Sequence, residues 1–122
     1  MRITKKAEIK QPFIDPKGET IYELIGSTPQ SGGSIKHSLA YGVLPPGCSS
    51  SYHYHPEDEE TYYILKGSAT MKIDEKEYAV KVGDAIFIQP PERHQITATN
   101  DKEVEYLVVC APAWKPSNSV FL

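Results

Sequence analysis

Short segments of strand-forming residues follow one another through the second half of the chain, and each segment ends at a turn. β-branched and aromatic side chains are frequent in these segments, and no stretch has the period of an amphipathic helix. The predicted strands are residues 61–65, 69–73, 78–82, 85–88, 95–99 and 104–110. Short strands at regular spacing predict an all-β domain whose sheets form a barrel or a sandwich.

Two further strands are predicted before this series, at residues 20–25 and 34–44. The second of them alternates large and small side chains, which places the larger ones on one face of the strand. That face carries Ile35, His37, Leu39, Tyr41 and Val43. On a face that is otherwise apolar, we expect His37 to be a hydrogen-bonded residue of the core or of an interface.

A chain of 122 residues predicts one domain with a single modest core. We divide it into an N-terminal arm with the leading strand (1–33), a barrel core (34–111) and a C-terminal arm (112–122). Pro112 prevents the last strand from continuing as a central strand. We expect the C-terminal arm to pack across the barrel or on a second copy. The alternative is a lid that covers a pocket with Trp114 or Phe121.

Two histidines, His53 and His55, are separated by one residue within a strand-like segment. Side chains alternate between the two faces of a strand, so both imidazoles point in the same direction and form a chelating pair. After the turn-prone residues 56–58, a second strand begins with Glu59 and Glu60. A hairpin at this place predicts a carboxylate beside the two imidazoles. The competing interpretation is a polar strand edge with a solvated acidic turn.

A further histidine, His94, follows an apolar strand and a proline-rich turn, and it favours the metal interpretation. Imidazole nitrogens combined with a carboxylate oxygen suit Mn, Fe, Ni, Co, Cu or Zn better than Mg or Ca, which prefer oxygen ligands alone. We therefore expect one divalent transition metal as the cofactor.

The region between residues 47 and 98 resembles the cupin superfamily. The first cupin motif is a glycine, a His-x-His pair, a glutamate and a second glycine at fixed spacing, and Gly47, His53, His55, Glu60 and Gly67 meet it in full. Only Glu60, and not its acidic neighbours, has the required distance to Gly67. The second motif is met by its first glycine and its histidine, Gly83 and His94. Its other positions carry Gln89, Pro91 and Ala98 instead of the usual proline, glycine and asparagine.

This resemblance implies a double-stranded β-helix, the RmlC-like jelly-roll barrel of a small single-domain cupin. It also implies a metal held by His53, His55, Glu60 and His94. A site with three neutral nitrogens and one carboxylate keeps open coordination positions for a ligand. We therefore expect a metal-dependent enzyme that acts on a polar, oxygen-bearing metabolite, either as an oxidoreductase or isomerase or as a decarboxylase or lyase. The alternatives are a ligand-binding or sensor protein without turnover and a purely structural metal site.

Strand parity identifies Tyr62 as the best candidate for a catalytic residue that is not a metal ligand. Counting from Glu60, Tyr62 and Ile64 face the pocket, whereas Tyr63 and Leu65 face outward. The competing interpretation is that Tyr62 only fills the barrel core.

Composition limits the partners and the location of the protein. The formal net charge is −3, and no basic run is present, which argues against nucleic acid and against an anionic membrane surface. We expect a cytoplasmic protein that binds a small molecule. Cys48 and Cys110 are expected to be buried or half-buried thiols, although Cys48 is also a candidate redox-sensitive thiol near the pocket. Because leading strands in the resembling family often complete a neighbour's sheet, we also expect a homodimer.

Overall fold

The computed structural model describes residues 1–122, and its regular structure is almost entirely β. The strands are β1 (Phe13–Ile14), β2 (Thr20–Ile25), β3 (Ser38–Leu44), β4 (His53–Tyr54), β5 (Glu59–Lys66), β6 (Ser68–Ile73), β7 (Lys76–Lys81), β8 (Ala85–Ile88), β9 (His94–Ala98), β10 (Val104–Ala111) and β11 (Val120–Phe121). The helical segments are three short 3₁₀ turns at Lys6–Glu8, Pro29–Ser31 and Pro116–Asn118. None of them is a helix that could cross a membrane.

The strands form two antiparallel sheets that face each other. One sheet has six strands in the order β1-β2-β3-β10-β5-β8, and the other has five in the order β11-β4-β9-β6-β7. Chain neighbours often lie in different sheets, so the chain crosses from one sheet to the other as a jelly-roll barrel does. This arrangement confirms the predicted all-β double-stranded fold.

The space between the sheets is filled by side chains from the alternate, inward positions of the strands. Along β5, Glu60, Tyr62 and Ile64 are buried, whereas Tyr63 and Leu65 are exposed, as strand parity predicts. The apolar core comprises Leu44, Tyr62, Ile64, Ala69, Met71, Val80, Ile88, Ile96, Ala98, Val104 and Tyr106. It occupies one part of the barrel, and the buried polar residues His55, Glu60 and His94 lie next to it.

Tyr106 fits into this core because β3 presents a glycine opposite its ring. A Cβ atom added at Gly42 would lie 2.2 Å from the ring of Tyr106. The inward face of β3 therefore carries the small residues Ser38, Ala40 and Gly42 together with the core residue Leu44, while Leu39, Tyr41 and Val43 point outward. Large and small side chains alternate along β3 as predicted. The face that carries Leu39, Tyr41 and Val43, however, does not face the core.

Most predicted strands are present within one or two residues of their expected bounds. The strand predicted at residues 34–44 begins only at Ser38, because the hydroxyl of Ser34 donates a hydrogen bond to the His37 carbonyl (2.7 Å) and bends the preceding segment. His37 is exposed on that bend and is therefore not a core residue, while the alternative position in an interface stays a prediction.

The hairpin predicted between His55 and Glu60 does not form. β4 pairs with β9 and β11, whereas β5 pairs with β10 and β8 in the other sheet. Residues 56–58 thus connect the two sheets at the end of the barrel. The carboxylate reaches the imidazoles from the opposite wall and not from a paired strand.

The two arms lie on the chain's own barrel. The leading strand β2 pairs with β3, and β1 pairs with β2. The C-terminal arm turns back after Ala111, and β11 pairs with β4 at the edge of the five-stranded sheet. The C-terminal arm thus packs on the chain's own barrel, and the predicted lid formed by Trp114 or Phe121 stays a prediction.

Candidate metal centre

Four side chains from two facing sheets meet at one end of the barrel. His53 and His94 begin the paired strands β4 and β9, His55 follows β4, and Glu60 extends from β5 on the opposite wall. One ligand atom from each of the four residues lies within 4.8 Å of the others. His94 is fully buried, and His55 and Glu60 are nearly so. The structure therefore brings together all four residues that the sequence motifs select.

Each of the three imidazoles is oriented by a backbone carbonyl. The Nδ1 atoms of His53, His55 and His94 lie 2.8, 3.0 and 3.1 Å from the carbonyl oxygens of Ser51, Asn118 and Glu92. A carbonyl oxygen can only accept, so each Nδ1 carries the hydrogen. When the ring is neutral, its Nε2 atom then carries a lone pair. This arrangement fixes the tautomer that a metal ligand requires.

The lone pairs meet the Glu60 carboxylate, which is also an acceptor. The Nε2 atom of His94 lies 2.9 Å from Oε1 of Glu60, and that of His55 lies 3.0 Å from Oε2. The second contact lacks hydrogen-bond geometry, so the buried Nε2 of His55 has no hydrogen-bond partner. Acceptor atoms at these distances repel one another unless a cation lies among them.

The pKa values of the site residues also indicate that a positive charge beside Glu60 is favourable. Burial and the neighbouring His94 lower the pKa of His53 to about 4, so His53 is neutral at physiological pH. Burial opposes a charge on His55, yet the Glu60 carboxylate raises the pKa of His55 above its usual range. Burial likewise opposes a charge on Glu60, but His55 and His94 hold the pKa of this carboxyl well below its usual range.

A divalent transition metal fits this set of residues. The donor set combines three imidazole nitrogens and one carboxylate, which suits Mn, Fe, Ni, Co, Cu or Zn. The Nε2 atom of His55 has no hydrogen-bond partner, and the three imidazoles are held in the tautomer that binds a metal. A metal site requires both features, whereas a solvated acidic turn requires neither.

The C-terminal arm supports the site, a role that the sequence alone did not predict. The backbone oxygen of Asn118 accepts from His55, and the side chain of Asn118 donates to the buried Asp58 (2.9 Å). Phe121 pairs with His53 across β11 and β4, with ring centroids 5.7 Å apart. An asparagine in a proline-containing tail gives no local signal of this contact, because the contact spans 63 residues of sequence.

Tyr62 lies beside the site, as strand parity predicts. Its ring is 6.1 Å from that of His94 and perpendicular to it, and 5.4 Å from that of Tyr106. Burial and the charge of Glu60 raise the pKa of Tyr62 well above its usual range, so its hydroxyl group remains a hydrogen-bond donor. Its role as a catalytic residue stays a prediction.

A cavity of about 1350 Å³ extends from the site to the surface, and His53, His55, Glu60 and Tyr62 line it. Its apolar walls come from both arms and from β2 and β10, and include Ile9, Phe13, Ile21, Val108, Trp114 and Phe121. Cys110 lines the cavity as a buried thiol. Cys48 does not, because it packs against Gly18 on the other side of the turn, so the structure gives no support to a redox role for Cys48 at the pocket.

Sequence reasoning missed two buried carboxyl groups in this cavity, Asp15 and Glu19. Both precede β2 in a proline- and glycine-containing turn, where acidic residues are usually solvated. Asp15 accepts hydrogen bonds from the backbone of Lys17 (2.7 Å) and from the hydroxyl of Ser51 (2.7 Å), which ties the N-terminal arm to the segment before His53. Glu19 accepts a hydrogen bond from the hydroxyl of Tyr106.

Comparisons with known proteins agree with this geometry. The chain is 32% identical to the uncharacterized protein MJ1618 of Methanocaldococcus jannaschii over 100% of this chain and 97% of that protein. An oxalate-binding protein of Thermotoga maritima is 38% identical over 66 residues, which are 54% of each chain. The structure of the polyketide cyclase RemF from Streptomyces resistomycificus superposes with a TM-score of 0.80 at 28% identity, over 100% of this chain and 87% of that one.

The family assignment follows from a match that includes the metal centre. Residues 40–110 match the family model described as the cupin domain. This segment covers more than half of the chain and contains His53, His55, Glu60 and His94. The protein belongs to the cupin family.

Proposed function

We propose that this protein is a metal-dependent enzyme whose substrate is a neutral, largely apolar small molecule with keto or hydroxyl groups. The observation that carries this proposal is the convergence of four donors at a large cavity with a largely apolar lining, on whose wall His53, His55 and Glu60 lie. His53, His55, Glu60 and His94 would hold one divalent transition metal. When bound, such an ion supplies Lewis-acid activation of a coordinated oxygen atom.

The size of the cavity favours a substrate larger than a simple dicarboxylate. Small-molecule sites in proteins usually have volumes of roughly 300 to 1000 Å³, and the cavity here is about 1350 Å³. Its apolar lining from both arms and the barrel would bury the body of a ring-containing molecule. A polar group at one end of that molecule would reach Tyr62 and the metal ligands.

The charges in the cavity favour a neutral substrate. Three acidic residues of the lining, Asp15, Glu19 and Glu60, are buried. The basic residues of the lining, Arg2, Lys5, Lys10 and Lys17, are all exposed. A dianion such as oxalate or a sugar phosphate would face buried carboxylates without a buried cation other than the metal.

The similarity to RemF supports the same substrate class, because polyketides carry keto and hydroxyl groups along a largely apolar skeleton. We therefore favour an isomerase-type reaction such as ring closure over decarboxylation. In such a reaction the hydroxyl group of Tyr62, which stays protonated, donates a hydrogen bond to a substrate oxygen. Oxygenation of the same substrate class is the second candidate, and it depends on which metal the protein holds.

The first test is elemental analysis of protein purified without added metal. We expect about one equivalent of a transition metal in the wild type. His55→Ala and Glu60→Ala are expected to lose it, whereas Glu59→Ala, which removes the exposed carboxylate next to Glu60, keeps it. Zinc would favour isomerisation, and iron or nickel would favour oxygenation. No metal in the wild type after reconstitution with these ions would contradict the proposal.

The second test uses ligands and the masses of their products. We expect the metal-loaded protein to bind 2,3-dihydroxynaphthalene, a neutral apolar chelator, more tightly than oxalate. Incubation with aromatic 1,3-diketones, followed by mass spectrometry, separates the reaction classes. An isomer of unchanged mass indicates ring closure or another isomerisation, added oxygen indicates oxygenation, and lost carbon dioxide contradicts our proposal. Tight binding with no product would identify a ligand-binding protein, as the relative from Thermotoga maritima is named.

We also propose that the protein forms a homodimer through the outer face of the six-stranded sheet. Four large apolar side chains on neighbouring strands of this face are exposed, namely Tyr63 (45%), Leu65 (37%), Phe87 (52%) and Val109 (39%). The register places Phe87 opposite Thr61 and Thr61 opposite Val109, so these residues form one patch. A contiguous apolar patch of this kind is typical of a protein interface.

A further inference from the structure

A buried carboxyl group lines the cavity apart from the metal ligands. Glu19 immediately precedes β2 and is only 7% exposed. It shares the cavity with Glu60 and Tyr62, and it does not belong to the set of converging metal donors. A buried carboxyl group that supports no metal and makes no ion pair needs another explanation.

Only one oxygen atom of the Glu19 carboxyl group accepts a hydrogen bond from the protein. The hydroxyl group of Tyr106 donates a hydrogen bond to Oε2 of Glu19. Tyr106 is itself held in the core against Gly42, where a Cβ atom would lie 2.2 Å from its ring. The other oxygen, Oε1, accepts no hydrogen bond from the protein, and Glu19 belongs to the lining of the cavity. The structure thus holds one carboxylate oxygen in place and leaves the second one free.

We propose that Glu19 is the proton-transfer residue of this cavity and exchanges a proton with a hydroxyl or enol group of the bound substrate. In the forward step the substrate O–H bond breaks, the electron pair stays on the substrate oxygen, and the proton forms a new O–H bond with Oε1 of Glu19. The return of this proton to the substrate or product restores the carboxylate. This inference rests on the substrate class proposed above.

The electrostatic surroundings of Glu19 suit this role. Burial raises the pKa of Glu19 to about 7, against an ordinary value of 4.5, and the negative charges of Glu60 and Asp15 raise it as well. The hydrogen bond from Tyr106 acts in the opposite direction. A carboxyl group with a pKa close to neutrality is present in both protonation states, so it can act as a base and then as an acid.

The other ionisable groups of the inner cavity are less suited to proton transfer. Both oxygens of Asp15 already accept hydrogen bonds, from Lys17 and from Ser51. Glu60 lies against the imidazoles of His55 and His94. The pKa of Tyr62 is raised well above its usual range, so Tyr62 remains protonated and cannot act as a base. Glu19 is the remaining buried acid with a free oxygen.

Counting the protons released on binding tests this role without turnover. The probe is 2,3-dihydroxynaphthalene, added to zinc-loaded protein at pH 8 in buffers of different ionisation enthalpy and followed by calorimetry. We expect the wild type to release about one proton fewer per bound probe than Glu19→Gln, because Glu19 captures a proton from the diol. The control Glu59→Gln alters an exposed carboxylate on the same barrel and should match the wild type. Equal proton release by Glu19→Gln and the wild type would overturn the inference.

A second measurement needs neither ligand nor metal. Carbon-13 NMR of the Glu19 carboxyl group should show a midpoint near neutrality in the wild type. Tyr106→Phe keeps the carboxyl group but removes its donor, so the midpoint should rise further. A midpoint in the ordinary glutamate range would overturn the inference even if Glu19→Gln fails to fold. Should the probe not bind the wild type, the proposed substrate class fails, while a midpoint near neutrality that rises in Tyr106→Phe still supports Glu19 as a proton-transfer group.

Discussion

The three histidines of the metal centre obtain their orientation in two different ways. His53 and His94 each bond the carbonyl group two residues earlier, at Ser51 and Glu92. His55 instead depends on Asn118, 63 residues away. The first two tautomers are therefore set by the local chain, and the third is set only when the C-terminal arm has docked. The local sequence therefore orients His53 and His94, whereas the tertiary fold orients His55.

Replacement of Glu60 by glutamine should separate stability from metal binding. The amide of Glu60→Gln has nearly the same shape, and its NH₂ group can donate to an imidazole lone pair. We expect the free energy of unfolding of the metal-free protein to change by no more than about 2 kcal/mol. Zinc at about 100 times its Kd should stabilise the wild type by about 2.7 kcal/mol but leave the variant unchanged. Urea unfolding with and without zinc measures both quantities, and equal stabilisation of both proteins would contradict the metal site.

The buried Glu19 should make stability depend on pH. Its pKa is about 7 in the folded protein and 4.5 in its ordinary state, so the unfolded chain loses this proton first as the pH rises. The contribution of Glu19 to stability therefore falls between about pH 4.5 and 7. We expect Glu19→Gln to gain about 2.5 kcal/mol relative to the wild type between pH 5 and 8. Urea unfolding of both metal-free proteins measures this difference, and a difference that does not change with pH would contradict it.

At the scale of secondary-structure elements, the site depends on the connection from β4 to β5, which lie in different sheets, and on the C-terminal arm, which packs against β4. β4 carries His53 on one wall, β5 carries Glu60 on the other, and β11 covers β4 from the edge. Trp114 belongs to the same arm and donates through its ring nitrogen to Ser119 (2.9 Å). The arm thus has its own internal hydrogen bonds and lines the cavity at the same time.

Removal of this arm should weaken metal binding more than it weakens the fold. A chain that ends after Ala113 keeps the apolar core but loses Asn118 and β11. Without the carbonyl acceptor, His55 is no longer held in its orientation, and we expect zinc affinity to fall by a factor of about 10 to 100. Competition with a chromogenic chelator measures the affinity, and circular dichroism reports the fold.

Asn118→Ala provides the matched control for this truncation. It keeps the backbone oxygen that accepts from His55 and loses only the side-chain hydrogen bonds to Asp58 and Ala113. We therefore expect a smaller loss of affinity than in the truncated chain. Unchanged zinc affinity in the truncated chain would show that the arm does not support the site.

Sequence patterns predict the parts of this molecule that local physics determines. Strand parity places Tyr62 in the interior, and the spacing of the histidines and Glu60 selects four side chains that do meet. Local patterns cannot show which strands pair, so the predicted hairpin after His55 is wrong. The carboxylate of Glu60 nevertheless lies beside the imidazoles, because β5 faces β4 from the other sheet. Glu19 and Asn118 could not be predicted, because each becomes buried or useful only through a partner on a distant strand.

At the scale of the whole molecule, the six-stranded sheet leaves a group of large apolar side chains exposed on its outer face. The outer face of the six-stranded sheet carries the exposed patch of Tyr63, Leu65, Phe87 and Val109. The leading strand β2 pairs with β3 of the same chain, which favours a homodimer that keeps this pairing. The predicted homodimer would therefore form by contact between sheet faces and not by strand exchange.

A charge placed in this patch should prevent association. Phe87→Glu would bury a carboxylate in the proposed interface, which costs several kcal/mol without a partner. We expect light scattering to show a dimer for the wild type and a monomer for the variant. Lys81→Glu, which changes the charge of an exposed residue outside the patch, should remain dimeric. A monomeric wild type, or a dimeric Phe87→Glu, would contradict the sheet-face interface.

The contacts that complete the cavity join residues that are far apart in the chain. Glu60 and His94 are 34 residues apart, Asp15 and Ser51 are 36, His55 and Asn118 are 63, and Glu19 and Tyr106 are 87. Each of these contacts closes a long loop, and the entropy of that loop must be lost before the contact forms. The unfolded chain consequently offers a metal only the His53 and His55 pair. Metal binding by all four residues would then follow folding, and most of its free energy would stabilise the native state.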